Sequence, residues 1–358
     1  MQRFATMMLS GLTAAGINAE LFAPDPLLGK FRDGRGFIAK WLGYIDKYLL
    51  FPNRLRAKLK QRPSLVHICD HSNAIYTSQV IGIPTLVTCH DLIAVRDALG
   101  EQTDCPMSFT GKLLQRWILR GLQRANVIAC DSTATKEDVV RIVGTNSREV
   151  EVISLGYNYP YKKLPSAEAI ARLEKISRLT INGSFVLNVS SNFPRKNRPG
   201  ALRIFARCKD RWNGLLVFVG EPLNKELKSL ASKLGIGNRI VEIENADNET
   251  LEALYNRAIL LLYPSTFEGF GWPIIEAQAC GCPVICTNSG PMPEAAGDAG
   301  LFHDVDDEEG FAADLLRLTD PIEREKWSEK SLHNAARFSA EKMIAEYISI
   351  YRQLAPNL

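Results

Sequence analysis

No apolar run in this sequence of 358 residues approaches the roughly 20 residues needed to span a bilayer. A surplus of one charge is missing too. Lysine and arginine number 43 against 40 acidic residues, and the resulting +3 is too small to argue for nucleic acid. No CxxC spacing occurs among the eight cysteines. Cys280, Cys282 and Cys286 cluster, but they alternate through a helix end and a strand, so no disulfide framework is expected. Small buried thiols in a reducing compartment fit better, and there the sequons at Asn182, Asn188 and Asn248 carry no meaning. No short-period repeat is visible. The start, MQRFATMMLSGLTAAG, resembles a signal peptide only faintly. Phe4, Met8 and Leu12 share one helical face and the strand-like NAELFAP follows, so an amphipathic helix is the better reading.

The chain is longer than one compact core usually organises, so two domains are expected. Strands alternate with helices in both halves, which implies parallel, doubly wound α/β sheets. The first half reads as helix 4–14, strand 19–23, strands within 64–69 and 84–89, helix 111–124, strand 126–130, a helix capped by Ser132, and strand 150–154. Residues 156–182, with Pro160 and Pro165, read as a connection. The second half restarts with strands 185–189, 214–220 and 240–243, separated by helices 199–208 and 225–234. Helix 248–258 follows. In the last segment Ile344, Tyr347, Ile348, Tyr351 and Leu354 recur at helical spacing.

The chain is organised around YPSTFEGFGWPIIEAQACGCPVICT, residues 263–287. A strand ends at Tyr263, a loop with Gly269 and Gly271 follows, and Pro273 suits the first turn of a helix. Gly281 is a natural stop, and residues 283–287 form the next strand. Glycines let a backbone approach a ligand, and a helix start favours an anion such as phosphate. Glu268 and Glu276 would repel phosphate but can accept hydrogen bonds from sugar or ribose hydroxyls. Together these describe a nucleotide-sugar site. Read as residues alone, the two glutamates are equally open to a solvated role near a helix start. Seven residues separate Glu268 from Glu276 within FEGFGWPIIEA. That block, with the flanking QACGCPVICTNSGPMPEAAGDAGLF, resembles the E-x7-E signature of the retaining family 4 glycosyltransferases, and the resemblance spans nearly the whole chain.

The resemblance implies a GT-B fold: two Rossmann-like domains with parallel sheets facing a central cleft. Expected boundaries are 1–157 for an acceptor-binding domain, 158–182 for a connection and 183–338 for a nucleotide-sugar-binding domain. A helix, 339–358, is expected to pack back toward the first domain. Relatives begin with a strand and a glycine-rich loop ahead of the first helix. Residue 1 already lies at that helix, so the first strand is expected to be missing.

Arg195-Lys196-Asn197 follows the strand FVLNVSS. The pair alone reads as a solvated turn, but the match of P-R-K-N to the family makes Lys196 the expected diphosphate cation, with Arg195, Ser191 and the backbone at Gly269, Phe270 and Gly271 assisting. Ser190 and Ser191 replace a glycine and an arginine or threonine common in the family, which shifts the phosphate grip toward Lys196. His90, in VTCHDL, lies at the carboxyl end of a parallel strand, where ligands bind. It resembles the family's T-x-H motif and is expected to line the donor sugar. His67 and His71 are weaker acceptor-side candidates, and His67 reads as packed. Asp304-Val305-Asp306 spells the D-x-D metal site of the other large glycosyltransferase fold. It precedes DEEGFAADLL and does not end a buried strand, so helix capping by Asp306 or Asp307 is preferred. No metal and no cofactor are expected.

Residues 30–62 hold ten cations (Lys30, Arg32, Arg35, Lys40, Lys47, Arg54, Arg56, Lys58, Lys60, Arg62) against Asp33 and Asp46, interleaved with aromatic and aliphatic residues. This suits either a solvated basic face or an anionic membrane surface. The expected activity is retaining, metal-independent transfer from a UDP- or GDP-sugar to a saccharide or lipid-linked acceptor. The expected location is the cytoplasm, peripheral at the inner face of the membrane. Glu276 would hold the ribose, with Glu268, Lys196 and His90 at the reacting centre. The alternatives are a non-catalytic nucleotide-sugar-binding partner and a sugar-nucleotide epimerase.

Overall fold

A continuous apolar run such as Thr85–Cys89, buried at all five positions, is what a strand covered on both faces requires. Runs of this kind build two sheets. The structure, a computed structural model, describes residues 2–24, 42–101, 103, 107–144, 149–175 and 183–357. These divide into two compact units. One comprises Met1–Asp131, Thr135–Ile153 and Ala340–Leu358; the other comprises Ser132–Ala134 and Ser154–Ser339.

In the first unit four parallel strands, β1 (Val66–Ile68), β2 (Thr85–Cys89), β3 (Val127–Cys130) and β4 (Glu149–Val152), lie in chain order across the sheet. Ile68, Val87, Cys89, Ile128 and Cys130 pack with Ile75, Ile118 and Leu122 to form its core. The first helix, Gln2–Ala14, buries Phe4, Met8 and Leu12. It lies against the last helix, Ala340–Leu354. A Cβ on Gly11 would come 2.5 Å from Ile344, so the approach of the two helices depends on that glycine. Residues 19–23 are not a strand. Leu21 is exposed, and Phe22 is held by its ring, stacked on Phe51 at 5.2 Å, rather than by a ladder.

In the second unit six parallel strands are ordered β10-β9-β8-β5-β6-β7. They are β5 (Phe185–Ser190), β6 (Leu215–Gly220), β7 (Ile240–Ile243), β8 (Leu260–Tyr263), β9 (Val284–Thr287) and β10 (Gly300–His303). The chain runs from β5 outward to β7, returns to the other side of β5 at β8, and runs outward again. The order therefore reverses between β5 and β8, which is where ligands bind in open parallel sheets, at the carboxyl ends of the strands. Residues 158–175, read from sequence as a connection, pack inside this unit. Buried Glu252 accepts the Lys162 amide (3.0 Å) and pairs with Arg172 (2.6 Å), which draws helix Ser166–Glu174 onto helix Asn248–Arg257. The rest of the expected connection, 176–182, lies outside the described residues, as do Lys30, Arg32, Arg35 and Lys40 of the basic segment.

Strand β10 has no counterpart in the sequence reading. Asp304 directly follows it, but β10 is a half-buried edge strand, and Asp304 and Asp306 are exposed. Asp307 caps helix Glu308–Arg317 by accepting from the Gly310 amide. The seven described cysteines are free thiols, six of them buried.

Candidate active site

The loops after β5 and β8 meet at the reversal point of the second unit's sheet. The Thr266 amide donates to the Arg195 carbonyl (2.8 Å) and joins them. After β5 the chain makes a single 3-10 turn, Pro194–Lys196. It then enters helix Arg198–Arg207 through Asn197, held at φ 46° and capping the Gly200 amide. After β8 it reaches helix Trp272–Ala279 through Gly271 at φ 103°, a conformation that a side chain would strain. Pro273 lies in the first turn.

These turns bring three expected residues together. Glu268, 5% exposed, accepts from Lys196 Nζ at 2.6 Å, from Arg195 Nη1 at 2.5 Å and from the Tyr263 hydroxyl at 2.9 Å. Burial pushes its carboxyl up, but the neighbouring Lys196 and Arg195 charges outweigh this and hold it below the usual carboxylate range. Two cations and one carboxylate leave the trio with one net positive charge. Ser191 lies half-buried on the β5 loop, and the Gly269–Gly271 backbone leads into the helix start. The Phe270 side chain is packed edge-on against Phe338 (5.8 Å), so only its backbone can serve a ligand. Glu276 is 3% exposed and takes the Tyr255 hydroxyl at 3.0 Å. It is anchored inward rather than standing open to solvent.

Arg198 escaped the sequence reading. Its guanidinium is fully buried, a rare state for arginine. Nε donates to Ser190 Oγ (2.9 Å), one terminal nitrogen to Asn192 Oδ1 and the Glu221 carbonyl (2.7 Å each), and the other to the Ser190 carbonyl. Burial lowers its pKa to about 10. Gly220 makes room, since a Cβ there would come 2.4 Å from the Ser190 oxygen. Nothing in periodicity marks an arginine that folds back beneath its own loop.

The carboxyl ends of β1, β2 and β3 carry a second polar group, within the first unit. His90 Nδ1 is 2.5 Å from Asp131 Oδ2 and Nε2 is 3.0 Å from the Cys69 carbonyl. A carbonyl only accepts, so Nε2 carries a proton, and a second proton must lie between Nδ1 and the carboxylate. Burial disfavours the imidazolium, but Asp131 outweighs that and lifts its pKa to about 9. Both ring nitrogens are therefore engaged by the protein, which leaves the backbone at His90 as the part that could face a sugar. Asp131 Oδ1 and His71 Nδ1 are buried without a hydrogen-bond partner among the described residues. His67 is packed. It bonds Tyr351 (2.6 Å) and Thr88 (2.8 Å), and burial lowers its pKa to about 3. Among the described residues no group of three His, Cys, Asp or Glu is placed to hold a metal ion.

A recess of about 560 Å³ lined by Arg56, Lys60 and Arg62 opens elsewhere, beside residues 63–64 and 83–84 that lead into β1 and β2. That is the amino end of the sheet, the wrong end for ligands of this architecture.

Residues 171–333 match the family described as Glycosyl transferases group 1, and residues 1–159 match Glycosyltransferase Family 4. The chain belongs to this glycosyltransferase family. The O-antigen chain mannosyltransferase B of Escherichia coli is 28% identical over 251 residues, 68% of this chain and 65% of that protein. A D-inositol 3-phosphate glycosyltransferase of Acidothermus cellulolyticus is 26% identical over 289 residues, 77% of this chain and 63% of its own length. The chain thus spans slightly under two-thirds of either relative. Among solved structures, sucrose-phosphate synthase from Thermosynechococcus elongatus superposes with a TM-score of 0.76 at 20% identity, covering 97% of this chain and 91% of that one. Anabaena Alr3699/HepE in complex with UDP and glucose gives 0.71 at 18%, covering 97% and 95%. These likenesses show the fold: two parallel-sheet α/β domains of the GT-B class.

Proposed function

We propose that the chain transfers a hexosyl group from a UDP- or GDP-sugar to a saccharide or lipid-linked acceptor, with retention and without a metal. The observation that carries this reading is the Lys196–Glu268–Arg195 cluster at the β5/β8 reversal, beside the start of helix Trp272–Ala279. As the anomeric bond breaks, negative charge gathers on the departing diphosphate. Lys196, Arg195 and the amides at the helix start stabilise it, and they are arranged before the reaction begins. Glu268, kept ionised by the same cations, accepts sugar hydroxyls near the anomeric carbon. Glu276, steadied by Tyr255, accepts from the ribose. Arg198 supports the Ser190–Asn192 turn from beneath, where the family more often carries glycine. His90 acts through Asp131 as a positioning residue, and Asp131 Oδ1 and His71 Nδ1 are the buried atoms that a hydroxyl of bound sugar would satisfy. The reading assigns no cofactor, because the nucleotide-sugar is a substrate.

The relatives named as O-antigen mannosyltransferases support a role in surface polysaccharide synthesis, and the HepE complexes support a nucleotide-sugar donor. We place the protein in the cytoplasm, with peripheral contact to an anionic membrane through residues 30–62. The test is release of nucleoside diphosphate from a panel of nucleotide-sugars with and without acceptor extract. Release that needs acceptor, and that Lys196→Ala cuts by roughly 10²–10³, is the expected result. Interconversion of the sugar without release points to an epimerase, and binding without turnover to a non-catalytic partner.

A further inference from the structure

Strand β8 ends at Tyr263 and the next helix begins at Trp272, so the loop between them has no ladder to bond its carbonyls. Side chains take several of them instead. The Thr266 carbonyl accepts from Ser289 Oγ (2.9 Å), that of Phe267 from Arg195 Nη1 (3.2 Å) and that of Gly269 from Ser132 Oγ (2.9 Å). Ser289 and Arg195 follow β9 and β5, the strands on either side of β8. Ser132 comes from 137 positions away in the chain, yet Ser132–Ala134 is grouped with this unit. Its side chain is fully buried. The residue after it is fastened as well, because the Thr133 amide donates to Glu294 Oε2 at 2.8 Å.

In a planar trans peptide the carbonyl and the following N–H point in opposite directions. By holding the Gly269 oxygen, Ser132 also sets the direction of the Phe270 N–H, one of the backbone groups assigned above to the donor. A glycine offers no side chain to resist rotation of the peptide that follows it. If that peptide turned over, it would aim a carbonyl dipole at the anion in place of an amide. The hydroxyl therefore acts at the point where the loop is least stiff by itself.

We propose that Ser132, seated by Glu294, is a positioning residue for the donor: its hydroxyl locks the Gly269–Phe270 peptide with the amide toward the diphosphate. The inference rests on the nucleotide-sugar reading above. Titration of the full chain with UDP and GDP, and with the parent nucleosides uridine and guanosine, tests it. Ser132→Ala should bind the nucleoside diphosphate roughly tenfold more weakly, the loss of one hydrogen bond to a charged group, and the nucleoside as tightly as the wild type does. Glu294 is less deeply buried, and Glu294→Ala should give the same pattern. Glu294→Gln keeps an oxygen for the Thr133 amide and should restore wild-type affinity. Wild-type affinity for the diphosphate in both alanine variants overturns the inference. An equal loss of nucleoside and diphosphate overturns it too, because a loosened fold weakens both. If Ser132→Ala does not fold, the Glu294 variants decide by the same two criteria. A wild type that binds neither diphosphate removes the nucleotide-sugar reading itself, and this inference with it.

Discussion

At Glu268, burial and charge pull in opposite directions, and charge wins because two cations touch one carboxylate. Removing one of them is therefore costly in itself. Breaking a buried pair on one side costs about 3–5 kcal/mol, less here because the Arg195 side chain is a quarter exposed and the second cation remains. Any loss of activity in Lys196→Ala should accordingly be read beside its melting temperature. His90 gives a sharper prediction. Its pKa rises from 6.5 to about 9 in the fold. A group raised in this way stabilises fully below its unfolded value and loses that contribution as pH climbs through the folded one. The melting-temperature gap between the wild type and His90→Gln should be largest below pH 6.5 and shrink toward pH 9. A gap that stays constant over that range contradicts the His90–Asp131 ion pair.

Among elements, helix Phe109–Leu122 shows where packing overrides propensity. Alanine at Gly121 would favour the helix by about 1 kcal/mol. Its Cβ would also fall 2.1 Å from the Ala74 carbonyl oxygen, and the backbone there has no rotamer to yield. Gly121→Ala should destabilise by about 1–3 kcal/mol in urea unfolding, and a stabilised variant would mean that the helix does not seat there. The same balance explains which elements the sequence disclosed. Strands β6 and β8 are nearly continuous apolar runs, and β2 and β5 are apolar apart from Thr85, Thr88, Asn188 and Ser190; all four were legible within a residue or two. Helix Pro321–Ala335 was not, because its buried positions include Ser328, Ser331 and Asn334, and Asn334 bonds Gln278 and the Ala295 carbonyl. A polar buried face leaves no apolar period. Strand β10 is four residues long with only two apolar side chains, and residues 19–23 read like a strand but pair with none among the described residues. At the site, Lys196 and Glu268 were legible from motif and spacing. Arg198, Tyr255, Tyr263 and Asp131 were not, since periodicity does not mark a side chain by the polar partner it meets in the fold.

For the whole molecule, strand order in the second sheet does the organising. Reversal between β5 and β8 brings residues 195–196 and 268 together across more than 70 positions of chain. The family match covers both units, while the ionic cluster belongs to the second alone. The most direct measurement is calorimetric titration of UDP and GDP into the full chain and into Lys196→Ala checked for folding. One nucleoside diphosphate should bind the wild type, and loss of a charge-assisted contact worth about 1.5–3 kcal/mol should weaken it roughly 10–100-fold in the variant. Equal affinity in the two proteins, or no binding of either nucleotide to the wild type, would contradict a diphosphate held at Lys196.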